Sequence, residues 1–153
     1  MMDIIIVAYG KIKQENFRAL EIEYLKRLQP YARLKITELK AEAFSKSGQE
    51  AAKRIEGERL QNYLSAYKSE NIFLLAERGE EFDSVEFSKK INSLAGTLIL
   101  VIGGTLGYSP EIFKAYKKIS LSKLTFPHEL ARVILLEQLY RAAAIDNQKA
   151  YHY

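Results

Sequence analysis

Only two side chains in this chain have an unperturbed pKa near neutrality, and both lie toward its end: His128 and His152. Imidazoles can take or release a proton at physiological pH, so their neighbours define what chemistry is available. His128 stands four residues before Arg132, which places the two on one face of a helix. His152 is flanked by Tyr151 and Tyr153, and Arg141 lies a short way upstream. Two imidazoles bracketing one helix, beside arginines and tyrosines, invite an acid/base reading. Each residue also has an ordinary structural reading. His128 can be a partly exposed residue at a helix start, and Arg132 can be solvated. Arg141 forms an i, i+4 pair with Glu137, a surface arrangement worth about a few tenths of a kcal/mol. A chain terminus is disordered by default. Against that default, an aromatic Tyr-His-Tyr end favours packing on something, and a nucleic-acid base is one such surface.

A second candidate is the glycine loop Gly103-Gly104-Thr105-Leu106-Gly107, which directly follows the apolar run Thr97–Ile102. Its spacing is GGxxG rather than GxGxxG, and no Lys-Ser or Lys-Thr pair follows, so neither common phosphate-binding motif is present. Two readings stand equal here. The glycines make a tight strand-to-helix turn, or they let a ligand approach bare backbone because no Cβ intervenes. Without a phosphate-coordinating lysine, that ligand need not carry phosphate.

Composition narrows the field. The 153 residues suffice for one domain with a real core, and 48% apolar with 27% charged residues is a globular balance. Cysteine is absent, which excludes disulfides, thiolate metal sites and thiol nucleophiles. Two histidines without HxxxH or HxH spacing lead us to expect no metal site. No run approaches the roughly 20 apolar residues of a membrane span, and the N-terminal MMDIIIVAYGK lacks the basic flank of a signal peptide, so a cytoplasmic protein is expected. The net charge of +4 is spread evenly, with 13 basic and 10 acidic residues up to position 70 and 10 and 9 beyond. This permits nucleic-acid binding without indicating it.

The elements that must position these residues alternate. Asp3–Ala8 is an apolar strand ended by Gly10, and Gln14 to Gln29 carries helical spacing through Phe17, Leu20, Tyr24, Leu25 and Leu28 before Pro30. Leu34–Leu39 alternates as a half-exposed strand, and a polar stretch from Lys40 to Glu50 precedes a helix over Ala51–Tyr67 that contains Gly57. Ile72–Ala76 reads as a buried strand ending in a Glu77-Arg78-Gly79 turn. Asp83 or Ser84 caps a helix to Leu94; Ser109-Pro110-Glu111 starts another; Lys118–Ser122 can be a last strand before Pro127 opens the final helix. The pattern predicts a single α/β domain over residues 1–153, with a mostly parallel sheet covered by helices on both faces. Ligands of such sheets bind beyond the strands' carboxyl ends, which selects three loops: Ala76–Gly79, Gly103–Gly107 and Leu121–Phe126.

On several of these segments the chain resembles a known family. Val101–Ser109, Ile119–His128, Glu137-Gln138-Leu139-Tyr140-Arg141-Ala142 and the closing Tyr151-His152 are similar to the RlmH family, bacterial SPOUT-class methyltransferases of 23S ribosomal RNA. The likeness runs over the whole chain and includes the Leu75-Ala76-Glu77-Arg78-Gly79 turn. It implies S-adenosylmethionine as methyl donor, N3 of a pseudouridine as acceptor, a homodimer, and a C-terminal half tied in a trefoil knot. Carried over by motif, it places the donor against Leu75, Gly103, Leu121, Ser122, Lys123, Leu124, Thr125 and Phe126. The catalytic group would be drawn from His152, Tyr151, His128, Arg132 and Arg141, with the Tyr151-His152 tail foremost because a chain end can cross a dimer interface. The chain departs from the family pattern at Ala150, where a proline is common before Tyr-His, and at Thr105, where proline or serine is frequent. Other readings remain: a SPOUT enzyme acting on another RNA such as tRNA, a non-catalytic nucleotide-binding domain, or a dimerisation module with Leu130 to Ile145 as its seam.

Overall fold

The computed structural model describes residues 1–45 and 48–151; Lys46, Ser47, His152 and Tyr153 lie outside the described residues. Five parallel strands form one sheet: β1 Met2–Tyr9, β2 Ala32–Leu39, β3 Ile72–Glu81, β4 Leu98–Ile102 and β5 Lys117–Ser120, in the order β2-β1-β4-β3-β5. The connecting helices are α1 Glu15–Leu28, α2 Gln49–Leu64, α3 Ser84–Asn92, α4 Pro110–Ala115 and α5 His128–Asp146.

Strand periodicity sorts the core into two layers. Ile4, Ile6 and Ala8 of β1, with Leu98, Leu100 and Ile102 of β4, pack against α1, α3 and α5. Ile5, Val7, Ile99 and Val101 face the other way, against Leu60 and Leu64 of α2 and Ile112 of α4. Strands β1 and β4 are apolar on both faces because both are covered, whereas β2 is an edge strand and alternates in burial. Helix starts follow local chemistry. Asp83 and Glu86 close a reciprocal capping box on α3, and Ser109 accepts the Ile112 N–H ahead of Pro110 on α4.

Four details differ from the sequence expectation. Strand β3 does not stop at Ala76 but continues to Glu81, because Leu75 and Glu80 both pair with Ile119 and residues 76–79 bulge out of the ladder. Strand β5 ends at Ser120, two residues earlier than expected, which frees Leu121 and Ser122 for the following loop. Leu20 of α1 is 43% exposed, so it lies outside the buried stripe that its spacing suggested. Helix α2 is rotated so that Ala52, Glu56, Gly57, Leu60 and Leu64 are its buried residues, while Ile55 is only half-buried. Gly57 is what permits this: a Cβ there would lie 2.7 Å from Ser109 Oγ, so only glycine lets α2 and the start of α4 approach so closely.

Candidate functional site

A cleft of about 540 Å³ opens where the bulge of β3 and the carboxyl ends of β4 and β5 meet the first turn of α5. Seven of the eight donor-site residues expected from sequence line it: Leu75, Gly103, Leu121, Ser122, Leu124, Thr125 and Phe126. The eighth, Lys123, turns outward; its side chain is 82% exposed and pairs with Glu81 at 3.5 Å. The three strand-end loops thus converge on one cavity because β3 lies between β4 and β5.

The glycine loop is held from both sides. Gly107 adopts φ +73° and donates to the Gly104 carbonyl, closing a turn that an L-residue would strain. Tyr108 folds back so that its ring sits against Gly103, where a Cβ would come within 3.2 Å of it. Its hydroxyl lies 2.8 Å from the Leu75 carbonyl and 2.9 Å from that of Val101, so one proton serves the ends of β3 and β4. Burial pushes this phenol far above its ordinary range, which keeps it a donor at physiological pH.

The first turns of α5 are stitched to the β1–α1 loop, to α1 beside it and to β2. His128 and Ala131 line the cleft. Glu129 accepts the backbone N–H groups of Lys13 at 2.7 Å and Gln14 at 3.1 Å. Burial pushes its carboxyl up, but those two amides, with the charges of His128 and Arg132, bring it to a net value below the usual one. Arg132 is 2% exposed and donates to Glu21 of α1, Glu38 of β2 and the Gly10 carbonyl. With its donors committed to these partners, the guanidinium does not reach into the cleft; it fixes the helix that forms the wall.

The remaining expected residues stand elsewhere. Tyr151 packs edge-on against Tyr140 at 4.7 Å between centroids, lies under the Arg141 guanidinium at 5.0 Å, and donates to Glu137 Oε1 at 3.3 Å. Arg141 grips the same Glu137 oxygen at 2.6 Å. Burial, followed by hydrogen bonding with Tyr24, pushes the Tyr151 phenol up to about 12, so it is neutral at physiological pH. Arg141 lies thirteen helical steps beyond His128, or about 20 Å along the axis. One chain therefore brings His128 to the cleft and leaves Tyr151 and Arg141 near the far end of α5. His152, the other proposed base, lies outside the described residues.

Sequence reasoning did not single out Tyr108, Glu77 or Glu56. Glu77 lines the cleft. Glu56 sits 5% exposed on the sheet-facing side of α2, with an oxygen 3.5 Å from where a Cβ on Gly104 would be. A signal for Glu56 existed: Ala52, Glu56, Leu60 and Leu64 share a helical face, and an acid within such a stripe beside a helical glycine is out of place.

Comparison with known proteins defines the class first. The family model described as predicted SPOUT methyltransferase matches residues 2–152. Two solved structures share the fold: a methyltransferase from Legionella pneumophila, solved with bound SAM, and TrmJ from Z. mobilis. The first has a TM-score of 0.54 at 14% identity over 94% of this chain and 66% of that one. The second has a TM-score of 0.54 at 11% identity over 93% of this chain and 70% of that one. Proteins named ribosomal RNA large subunit methyltransferase H are much more similar. The one from Kosmotoga olearia is 41% identical over 99% of this chain and all of its own length. That from Limosilactobacillus fermentum is 42% identical, with 99% of each chain covered. The chain belongs to this ribosomal RNA large subunit methyltransferase H family, within the SPOUT methyltransferases.

Proposed function

We propose that the chain transfers a methyl group from S-adenosylmethionine to N3 of a pseudouridine in 23S rRNA, acting as one SPOUT domain over residues 1–153 in the cytoplasm. The observation that carries this reading is the character of the cleft. It is walled by strand-end backbone, three glycines and mostly apolar side chains, and no lysine or arginine is among its described lining residues. A phosphate-bearing nucleotide would find no cation to pair with there. A ligand with an adenosine body and a positive sulfonium fits both the apolar walls and the charge. Leu75, Gly103, Leu121, Ser122, Leu124, Thr125 and Phe126 would hold it, chiefly through backbone groups and packing, with Lys123 at the rim.

When bound, the donor supplies an already activated methyl group, so the protein's share of catalysis is alignment, exclusion of water and management of one proton. Tyr108 and the Glu129 and Arg132 links hold the cleft walls in register. The acceptor N3–H must lose its proton, and His152 and His128 are the bases offered to it. Tyr151, neutral and hydrogen-bonded, orients rather than abstracts, while Arg141 steadies the anionic ring.

The 20 Å scale of α5 separates these groups within one chain, and a homodimer brings them together, the tail of one protomer closing over the cleft of its partner. Leu130, Ile134 and Ile145 on α5 are half-buried, and Leu20 and Ile22 on α1 are exposed, leaving apolar surface on the α1–α5 layer for a second copy. The trefoil knot that the family resemblance implies belongs to the same reading. A charge of only +4 per chain favours the assembled large subunit over naked RNA as substrate.

The test is mass mapping of 23S rRNA after incubating methyl-free large subunits with the protein and labelled donor, beside a chain lacking Tyr151–Tyr153. A methylated pseudouridine with the full chain, and none with the shortened one at unchanged fold, is expected. Label entering only tRNA would overturn the substrate assignment, and full activity of the shortened chain would overturn the role of the tail.

A further inference from the structure

The buried carboxylate of Glu56 stands directly behind the glycine loop and takes no part in the site described above. Its Oε2 accepts the backbone N–H of Glu42 at 2.9 Å, while its Oε1, buried, has no hydrogen-bond partner among the described residues. The nearby cation does not neutralise it: Arg59 is paired with Glu42 at 2.7 Å and donates to the Lys40 carbonyl. Tyr9 shares the back of Gly104 and donates to the Glu56 backbone carbonyl at 2.9 Å. Burial first, then the Glu56 carboxylate, drives its phenol upward. On the open side of the same loop Glu77 lines the cleft, and His128 is the only other lining side chain able to carry charge near neutrality. Two acids therefore flank Gly103-Gly104, and no described lining residue opposes them with a fixed positive charge.

A buried carboxylate without an ion-pair partner is costly, and its burial against the loop leaves its field weakly screened. We propose that Glu56, assisted at the rim by Glu77, makes this cleft discriminate by charge between the two forms of its ligand. It holds the sulfonium donor more tightly than the neutral thioether that remains after methyl transfer. This rests on the reading of the cleft as the S-adenosylmethionine site. The consequence is directional. Loss of the methyl cation removes the favourable interaction with Glu56, so the spent product is released more easily than the donor.

The donor and the product, S-adenosylhomocysteine, differ in one methyl group and one charge, while their amino-acid ends are identical. The ratio of their dissociation constants therefore isolates the charge term. Calorimetric titration of both ligands is made with the wild-type dimer, Glu56→Gln and Glu77→Gln. Glu56→Gln is expected to shift the ratio about fivefold against the donor, with product affinity nearly unchanged; this is well below the effect of a direct low-dielectric contact. Glu77→Gln, exposed and so free of folding risk, is expected to shift it about twofold in the same direction, and less at high salt. Equal losses for both ligands, or an unchanged ratio in either folded variant, would overturn the inference. If Glu56→Gln fails to fold, the Glu77→Gln ratio alone decides. Wild-type protein that bound neither ligand would instead sink the donor-site reading, a failure visible before any variant is compared.

Discussion

Replacing Gly79 with alanine tests whether the wall of the cleft is built as described. A Cβ at position 79 would lie 2.5 Å from the Ile119 carbonyl carbon and 2.7 Å from the backbone nitrogens of Ile119 and Ser120. Non-bonded atoms prefer about 3.5–4.0 Å, so one strand must move by about 1 Å. The atoms met are backbone, and no side-chain rotation relieves them. Overpacking of this kind costs about 1–3 kcal/mol, and a domain of this size loses about 2–4 °C in Tm per kcal/mol. Thermal unfolding followed by circular dichroism should then show Gly79→Ala melting about 2–12 °C below the wild type. Because β5 leads directly into Leu121–Phe126, donor affinity should fall as well. Gly48→Ala is the control: among the described residues its Cβ would meet Ser45 Oγ at an ordinary 3.5 Å, and exchanging glycine for alanine at this N-cap costs under about 1 kcal/mol. A Gly79→Ala protein that melts less than about 1 °C below the wild type, under half the smallest shift expected, would refute the contact between the bulge and β5.

Arg132→Met should destabilise by about 1–3 kcal/mol, because it leaves the partly buried Glu21 and Glu38 carboxylates and the Gly10 carbonyl without their donor; denaturant titration reads the loss, and a neutral result would return Arg132 to candidacy as a mobile catalytic group. The Glu129 carboxyl lies below its usual range in the folded chain. Its contribution is therefore present above the ordinary glutamate pKa and is lost as pH falls through the depressed folded value. The acid limb of Tm against pH should be flatter in Glu129→Gln than in the wild type, and identical limbs would show that its links to Lys13 and Gln14 do not hold in solution.

Short-range features of this fold could be read from the residues in order. Ser109-Pro110 and Asp83 with Glu86 announce helix starts because a cap acts over three residues. The apolar runs of β1 and β4 announce buried strands because covering both faces leaves no polar position. The loop set for the cleft was legible too, since a parallel sheet gathers its strand ends on one side. What could not be read were relations set by the sheet order β2-β1-β4-β3-β5. Arg132 meets the Gly10 carbonyl across 122 positions of sequence, and a solvated arginine and a locked one have the same neighbours along the chain. Glu77-Arg78-Gly79 has the composition of a turn; only the arrival of β5 beneath it makes it a bulge inside a longer strand. Residue type and spacing named His128, Arg141 and Tyr151 as partners in chemistry. Tertiary structure decided that His128 alone stands at the cleft of its own chain, because a rigid helix holds the others at a distance that local sequence does not measure.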